Sequence, residues 1–412
     1  MSSAAPRFFP YVYLAFAAGY VLSYFFRNVN AVISIELSRE LALSPGVLGL
    51  MTAAYFVAFG AMQLPAGVLL DRYGPRRVEP VLLGVAALGA LAFALADGVP
   101  GLLVARGLIG AGVSVCLMAP LKAIATWCPP ERRASLSGWI MVAGGLGALA
   151  ATAPLELALR GASWRTIFVV IAATTAAAAA LIAWLVPDTP PQRDAGARAQ
   201  WAGVRDVLAH RRFWWIAPLA ATGIGQFMAV QGLWAVPWLV EVNGFDRAVA
   251  ARHLLAMGVT MLGGYLALGL FATRLARHGA HPRHLFGGGF ALNALALVAI
   301  VTELPGSWLW WSLYGLGATV NVLGFTVVTD GFGAALAGRA STALNLLMFT
   351  GSFLAQWGIG VVVDAARAAL GFDLADGLRL AFASALVLYA AAFAWFAWGW
   401  RRHARIAGGA LA

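Results

Sequence analysis

The sequence predicts an all-α membrane protein, with twelve transmembrane helices in two pseudo-symmetric six-helix bundles, on three observations. Of 412 residues, 61% are hydrophobic and only 11% charged, whereas soluble globular domains carry about 25% charged residues. The apolar residues fall in long runs, such as residues 81–96 and 167–186, near the ~20 residues that cross a hydrocarbon core of about 30 Å. The two halves of the chain also share short patterns at a displacement near half its length.

Cut at charged or Pro/Gly-rich breaks, the apolar segments give spans at 9–35, 46–70, 79–97, 101–127, 135–158 and 164–186. A second set follows at 213–240, 248–273, 284–304, 308–335, 341–368 and 376–400. The first run opens after Arg7 and continues past Ser34. That exceeds the apolar core of a cleavable signal, about 7–15 residues, and no A-x-A cleavage pattern follows, so it reads as a span. Short connections suit antiparallel neighbours. The stretch with Pro187, Pro190, Pro191 and alternating charges reads as a linker. The expected organisation is an N-terminal bundle at 1–187, a cytoplasmic linker at 188–211 and a C-terminal bundle at 212–412.

Orientation follows from the cations. With the N-terminus inside, eighteen of the 28 Lys and Arg residues fall in inner loops and seven in outer loops. This bias places both termini in the cytoplasm of a multi-pass inner (plasma) membrane protein. It also accounts for the net charge of +11 without a nucleic-acid partner. The expected partners are the lipid bilayer and a small-molecule solute, with the chain a monomer. Cys116 and Cys128 are spaced for neither a disulfide framework nor a metal site. His278, His281 and His284 lie among Arg277, Pro282 and Arg283 and read as a solvated basic loop. No metal and no cofactor is expected.

The repeat is visible in two places. Gly67-Val-Leu-Leu-Asp71-Arg72 aligns with Gly269-Leu-Phe-Ala-Thr273-Arg274 at a displacement of 202 residues, and Arg132-Arg133 with Gly338-Arg339 at 206. The first of these patterns continues as Tyr73-Gly74-Pro75-Arg76-Arg77. It resembles the signature loop of the major facilitator superfamily, and Arg106-Gly-Leu-Ile-Gly110-Ala-Gly112 resembles that superfamily's second motif. Pro130-Glu131-Arg132-Arg133 is similar in the same way. The resemblance covers nearly the whole chain. It implies a substrate cavity lined mainly by spans one, four, seven and ten, alternating access, and a conformational latch formed by Gly67, Asp71, Arg72, Gly74, Arg76 and Arg77. The second half carries Thr273 where the acid would stand, which implies one such latch. Tyr24-Phe-Phe-Arg27-Asn28-Val-Asn30 resembles the first helix of the superfamily's organophosphate and organic-anion branch, where an arginine contacts the substrate anion. Span seven offers Gln226 and Gln231 where the phosphate carriers of that branch have a second arginine. This points away from a phosphate monoester and toward a carboxylate or zwitterion.

Four ionisable residues fall inside apolar spans, each costing about 2.5–3.5 kcal/mol at a helix centre unless it faces a cavity or a partner. Arg27, followed by Asn28 and Asn30, presents a planar fork of donors suited to a carboxylate; the alternative is an arginine snorkelling to the outer interface. Lys122, the only lysine, either binds the anion or snorkels to the inner headgroups. Asp330 in span ten is the expected proton-coupling carboxylate if it sits in a dry cavity, or else a static partner of Lys122. Arg106 reads as packing in span four or, by resemblance, as part of a proton relay. Tyr24, Gln226, Gln231, Trp234 and Asn321 are candidate neutral contacts for a solute, or ordinary packing residues.

The leading expectation is a secondary active transporter of a small organic anion or amphoteric metabolite, proton-linked or exchanging. An exporter of drugs or lipophilic cations is the alternative; it calls for a deep acid in the first half, and the first six spans are read as holding none. A membrane-embedded enzyme or sensor finds no HExxH, paired intramembrane aspartates or Ser/His pair, and no P-loop indicates ATP-driven pumping. The chain is therefore expected not to be an enzyme.

Overall fold

The computed structural model describes residues 9–188, 204–277, 281–330, 332 and 334–409. The chain divides into two compact units, Met1–Arg198 and Ala199–Ala412. Most of the expected linker lies outside the described residues.

Helix occupies each of the twelve expected segments. Among the described residues ten helices are long and apolar enough to cross a membrane. The two segments outside that set have visible causes. The first, α1 (Phe9–Leu41), carries Arg27, Asn28 and Asn30 at its middle. Span four is divided into α4 (Val99–Gly112) and α5 (Met118–Trp127).

In the first unit α2 (Pro45–Tyr73) starts on Ser44, whose Oγ accepts from the Val47 amide at 3.3 Å, with Pro45 in the first turn where its missing N–H costs nothing. The connection to α3 (Pro75–Leu95) is Gly74 alone, at φ 75°, a conformation that suits glycine. Its amide closes α2 on the Leu70 carbonyl at 2.9 Å, and Pro75 opens the next helix. The expected loop at 71–78 is thus nearly absent: Asp71 and Arg72 end one helix, and Arg76 and Arg77 begin the next. The two helices thus extend several residues past the expected span boundaries at 70 and 79.

Span five comprises α6 (Pro130–Ala150) and α7 (Ala153–Leu159), and span six is α8 (Trp164–Leu185). Helices α1 and α6 meet so closely that a Cβ at Gly147 would lie 2.0 Å from the Val21 carbonyl oxygen. Phe93 of α3 stacks on Phe168 of α8 at 4.4 Å, with the Trp164 ring edge-on at 5.6 Å. The Trp164 indole donates to Glu40 at 2.6 Å and the Arg165 guanidinium pairs with the same carboxylate, tying the end of α1 to the start of α8.

The second unit contains α9 (Phe213–Val242), α10 (Arg247–Arg277), α11 (Pro282–Val301), α12 (Ser307–Ala318), α13 (Leu323–Thr329), α14 (Ala334–Leu370) and α15 (Leu374–Gly409). Helix α9 widens into two π turns, Val230–Trp234 and Trp238–Val242. Glycines let α9 and α14 touch backbone to backbone: a Cβ at Gly351 would lie 2.2 Å from the Ala221 carbonyl oxygen. Buried polar side chains pin neighbouring helices, with Asn293 donating to the Tyr314 carbonyl at 2.8 Å and Tyr389 to that of Phe290 at 3.0 Å.

Span ten is interrupted as span four is. Residues 113–117 leave the α-helix in the first unit, and Thr319–Val322 tighten to a 3-10 turn in the second. Residues 113 and 319 are 206 apart, the displacement that relates Arg133 to Arg339. The sequence repeat therefore has a structural echo that residue patterns did not reveal.

Candidate anion-binding site

Arg27 lies at the middle of α1, and only 7% of its surface is exposed. Its guanidinium carbon is 4.5 Å from the Tyr24 ring centre, one turn back, and 5.2 Å from the Phe59 ring of α2. The Tyr55 hydroxyl lies against it as well. Aromatic faces stabilise the cation by attraction to their negative quadrupoles. Arg27 is enclosed by these side chains.

A second guanidinium supports this region. Arg106 of α4 is fully buried, donates from Nη1 to the Phe26 carbonyl at 3.0 Å, and sits 5.1 Å from the centre of the Tyr55 ring. Its Nε and Nη2 meet no acceptor among the described residues. Tyr55 is thus bracketed by two cations. Arg106 thus holds the α1 backbone next to Arg27.

Other expected contacts are already engaged. Asn28 donates to the Tyr24 carbonyl at 2.8 Å within its own helix. Asn30 donates to Thr52 Oγ1 at 2.8 Å, and Thr52 to the Leu48 carbonyl at 3.0 Å, so this asparagine joins α1 to α2. Their positions after Arg27 suggested ligands, but a buried amide takes the nearest partner.

Lys122 is a correction. Its Nζ donates to Asp71 Oδ1 at 2.6 Å and to the Leu70 carbonyl at 2.8 Å, closing the end of α2 onto α5. Its partner is Asp71 of the signature segment. Arg76 and Arg77 turn to Asp188, at 3.2 and 3.6 Å, and Arg72 stacks on Tyr73 with its guanidinium carbon 5.2 Å from the ring centre.

Asp330 is a second correction. It follows the last turn of α13 with an exposed side chain, on the wall of a cavity of about 530 Å³ that also includes Arg212, His281, Arg283 and Trp400. An exposed position on that wall is not the dry cavity expected for it. Gln226, Gln231, Trp234 and Asn321 are all buried within the second unit. The Trp234 indole donates to the Gln356 carbonyl at 3.0 Å, while Gln226 Oε1 and Asn321 Oδ1 have no donor among the described residues.

A third correction concerns acids. The first six spans do hold a deep carboxyl: Glu79 of α3 is 0% exposed. The expected span begins at that residue, whereas Pro75 after a glycine marks the helix start one turn earlier. Tyr55 was also missed, since an aromatic in an apolar run carries no polar signal of its own.

Apolar helices in two units, with guanidiniums enclosed among aromatic rings in the first, define a multi-pass helical membrane protein. The family model for the Major Facilitator Superfamily matches residues 16–356, and the chain belongs to that superfamily. Over 275 residues it is 31% identical to the hexuronate transporter of Escherichia coli (strain K12), covering 60% of this chain and 62% of that one. The match thus spans somewhat less than two thirds of that relative. It is 28% identical over 278 residues to the galacturonate transporter of Dickeya chrysanthemi, covering 61% and 79%. Among solved structures it resembles a bacterial homologue of the human lysosomal transporter Spinster, with a TM-score of 0.77 and 18% identity over 97% of this chain and 98% of that one. That likeness is one of fold.

Proposed function

We propose that this protein is a secondary active transporter that moves a small organic anion, of the sugar-acid class, across the inner membrane by alternating access, linked to protons. The observation that carries the proposal is Arg27, a guanidinium enclosed by Tyr24, Tyr55 and Phe59 within an apolar bundle. An intramembrane arginine is costly unless function retains it, and its planar fork matches a carboxylate in two parallel hydrogen bonds. The names of the two relatives, both transporters of sugar acids, support this substrate class.

In this reading Arg27 contacts the carboxylate, Arg106 holds α1 in place and raises the local potential, and Tyr24 offers a ring and a hydroxyl to the solute. Within the second unit, Gln226, Gln231, Trp234 and Asn321 are the buried neutral side chains proposed for solute contact. Asp71 and Lys122, with Gly67, Arg72, Gly74, Arg76 and Arg77, form a latch that opens and recloses during the cycle. The protein works as a monomer with both termini in the cytoplasm, and catalysis forms no part of the reading.

Uptake of labelled galacturonate into proteoliposomes, with and without an imposed pH gradient, tests it. Saturable uptake that is lost in Arg27→Ala is the expected result. Equal uptake by the variant removes Arg27 from the site, and absence of any sugar-acid uptake by the wild type removes the substrate class.

A further inference from the structure

Glu79 stands just past the first turn of α3 and is buried completely. Its Oε1 packs against α1 at Gly19, where an added Cβ would lie 3.0 Å from that oxygen, 3.5 Å from Leu83 Cδ1 and 3.8 Å from Ile182 Cδ1. The carboxyl therefore occupies an apolar niche that exists because position 19 has no side chain. The group facing it is the Cys116 thiol. Neither oxygen accepts a hydrogen bond from an N–H or O–H group among the described residues.

The cations near this niche are engaged elsewhere. On α3 itself Arg76 and Arg77 pair with Asp188. Arg106 of α4 donates to Phe26, Lys122 of α5 pairs with Asp71 of α2, and Arg165 of α8 pairs with Glu40. On α1, Arg27 lies among aromatic rings, and the Tyr20 hydroxyl lies 3.8 Å from Met141 Sδ. An ionised carboxylate taken from water into such surroundings costs several kcal/mol. The neutral acid is the form this packing accommodates.

Cys116 belongs to the interruption of span four. There the amides of Ser114 and Cys116 reach only three residues back, to Ala111 and Val113, both at 3.3 Å. Ser23 Oγ donates to the Val113 carbonyl at 3.4 Å, and Gln63 Nε2 to that of Ser114 at 3.5 Å. Ser23 precedes Arg27 by one turn, and its own carbonyl accepts from the Tyr55 hydroxyl at 3.4 Å. The segment that carries Cys116 is thus tied to α1 by Ser23, one turn before Arg27, and to α2 by Gln63. Long hydrogen bonds of this kind rearrange more readily than an unbroken helix.

We propose that Glu79 is a proton-binding residue of the transport cycle, coupled to the anion site at Arg27 through the broken segment 113–117. While that segment packs over the niche, the carboxyl keeps its proton. When the segment shifts and admits water, the O–H bond breaks, its electron pair stays on the carboxylate and the proton passes to water. The coupling to Arg27 rests on the anion-transport reading; the protonation state of Glu79 does not.

Two measurements on the full chain in proteoliposomes separate these claims. Infrared spectra of the wild type should contain the carbonyl stretch of a protonated carboxylic acid that disappears in Glu79→Gln; absence of that band from the wild type overturns the proposal. In transport, a gradient of one pH unit sustains about tenfold accumulation through a one-proton symporter. The ratio of gradient-driven galacturonate uptake to counterflow should fall by about that factor in Glu79→Gln, and an unchanged ratio overturns the coupling. If wild-type counterflow is missing, the anion reading fails while the infrared band still decides Glu79. Should Glu79→Gln not fold, Cys116→Ala leaves the carboxyl in place and should shift its band; an unmoved band contradicts the arrangement.

Discussion

Lys122 offers a sharp choice between latch and substrate ligand. Its Nζ stands 2.6 Å from Asp71 Oδ1, and the two side chains are 15% and 37% exposed. At an effective dielectric of about 20 the gross attraction at that separation is about 6 kcal/mol. Water reaching Asp71 and the desolvation of Lys122 offset most of it. Exposed pairs contribute about 0.2–1 kcal/mol and breaking a buried pair costs about 3–5, so this half-buried one should contribute about 1–2. The hydrogen bond to the Leu70 carbonyl survives loss of Asp71 but not loss of Lys122. Lys122→Met should therefore destabilise the protein more than Asp71→Ala, with a coupling energy of about 1 kcal/mol or more in a double-mutant cycle on unfolding in detergent. A latch predicts a KM for uptake within about twofold of wild type in both variants. A ligand role predicts a tenfold rise in Lys122→Met alone, the equivalent of about 1.4 kcal/mol. Additive unfolding energies together with that selective KM change would refute the latch.

Gly147→Ala places a Cβ 2.0 Å from the Val21 carbonyl oxygen; overpacking of this kind costs about 1–3 kcal/mol, read as a lower melting temperature. Gly67→Ala meets nothing within 4 Å in the interior of α2 and should instead raise stability by about 0.5–1 kcal/mol. A loss there would contradict the open space around this position. Trp234→Phe removes the donor to the buried Gln356 carbonyl and should cost about 1–3 kcal/mol, measurable in the same thermal assay. Glu40→Gln, which loosens Arg165 and Trp164 at the exposed end of α1, should cost about 1 kcal/mol or less and matter less in high salt.

The positions of the twelve segments were legible because lipid demands long apolar runs, and few other pressures produce them. Their ends were less so. Asp71, Arg72, Arg76 and Arg77 looked like a polar loop, yet Gly74 alone turns the chain, and the charged residues belong to helix ends. That misplaced boundary hid Glu79. The interruptions at 113–117 and Thr319–Val322 left no mark in residue type, since small and apolar residues tolerate either geometry. They are visible only in where the hydrogen bonds go. Arg27 was legible as an unusual charge, but its enclosure by Tyr24, Tyr55 and Phe59 joins residues from two helices, which spacing in one segment does not reveal. Lys122 has a partner within its own unit, Asp71, which spacing along the chain does not reveal.

The central claim is that Arg27 meets a carboxylate. Calorimetric titration of the purified protein with galacturonate, comparing wild type with Arg27→Lys, tests it directly, because the lysine keeps the charge and loses the fork. Loss of a charge-assisted hydrogen bond, about 1.5–3 kcal/mol, should weaken binding by about tenfold to a hundredfold. An unchanged dissociation constant in a folded variant would contradict the account.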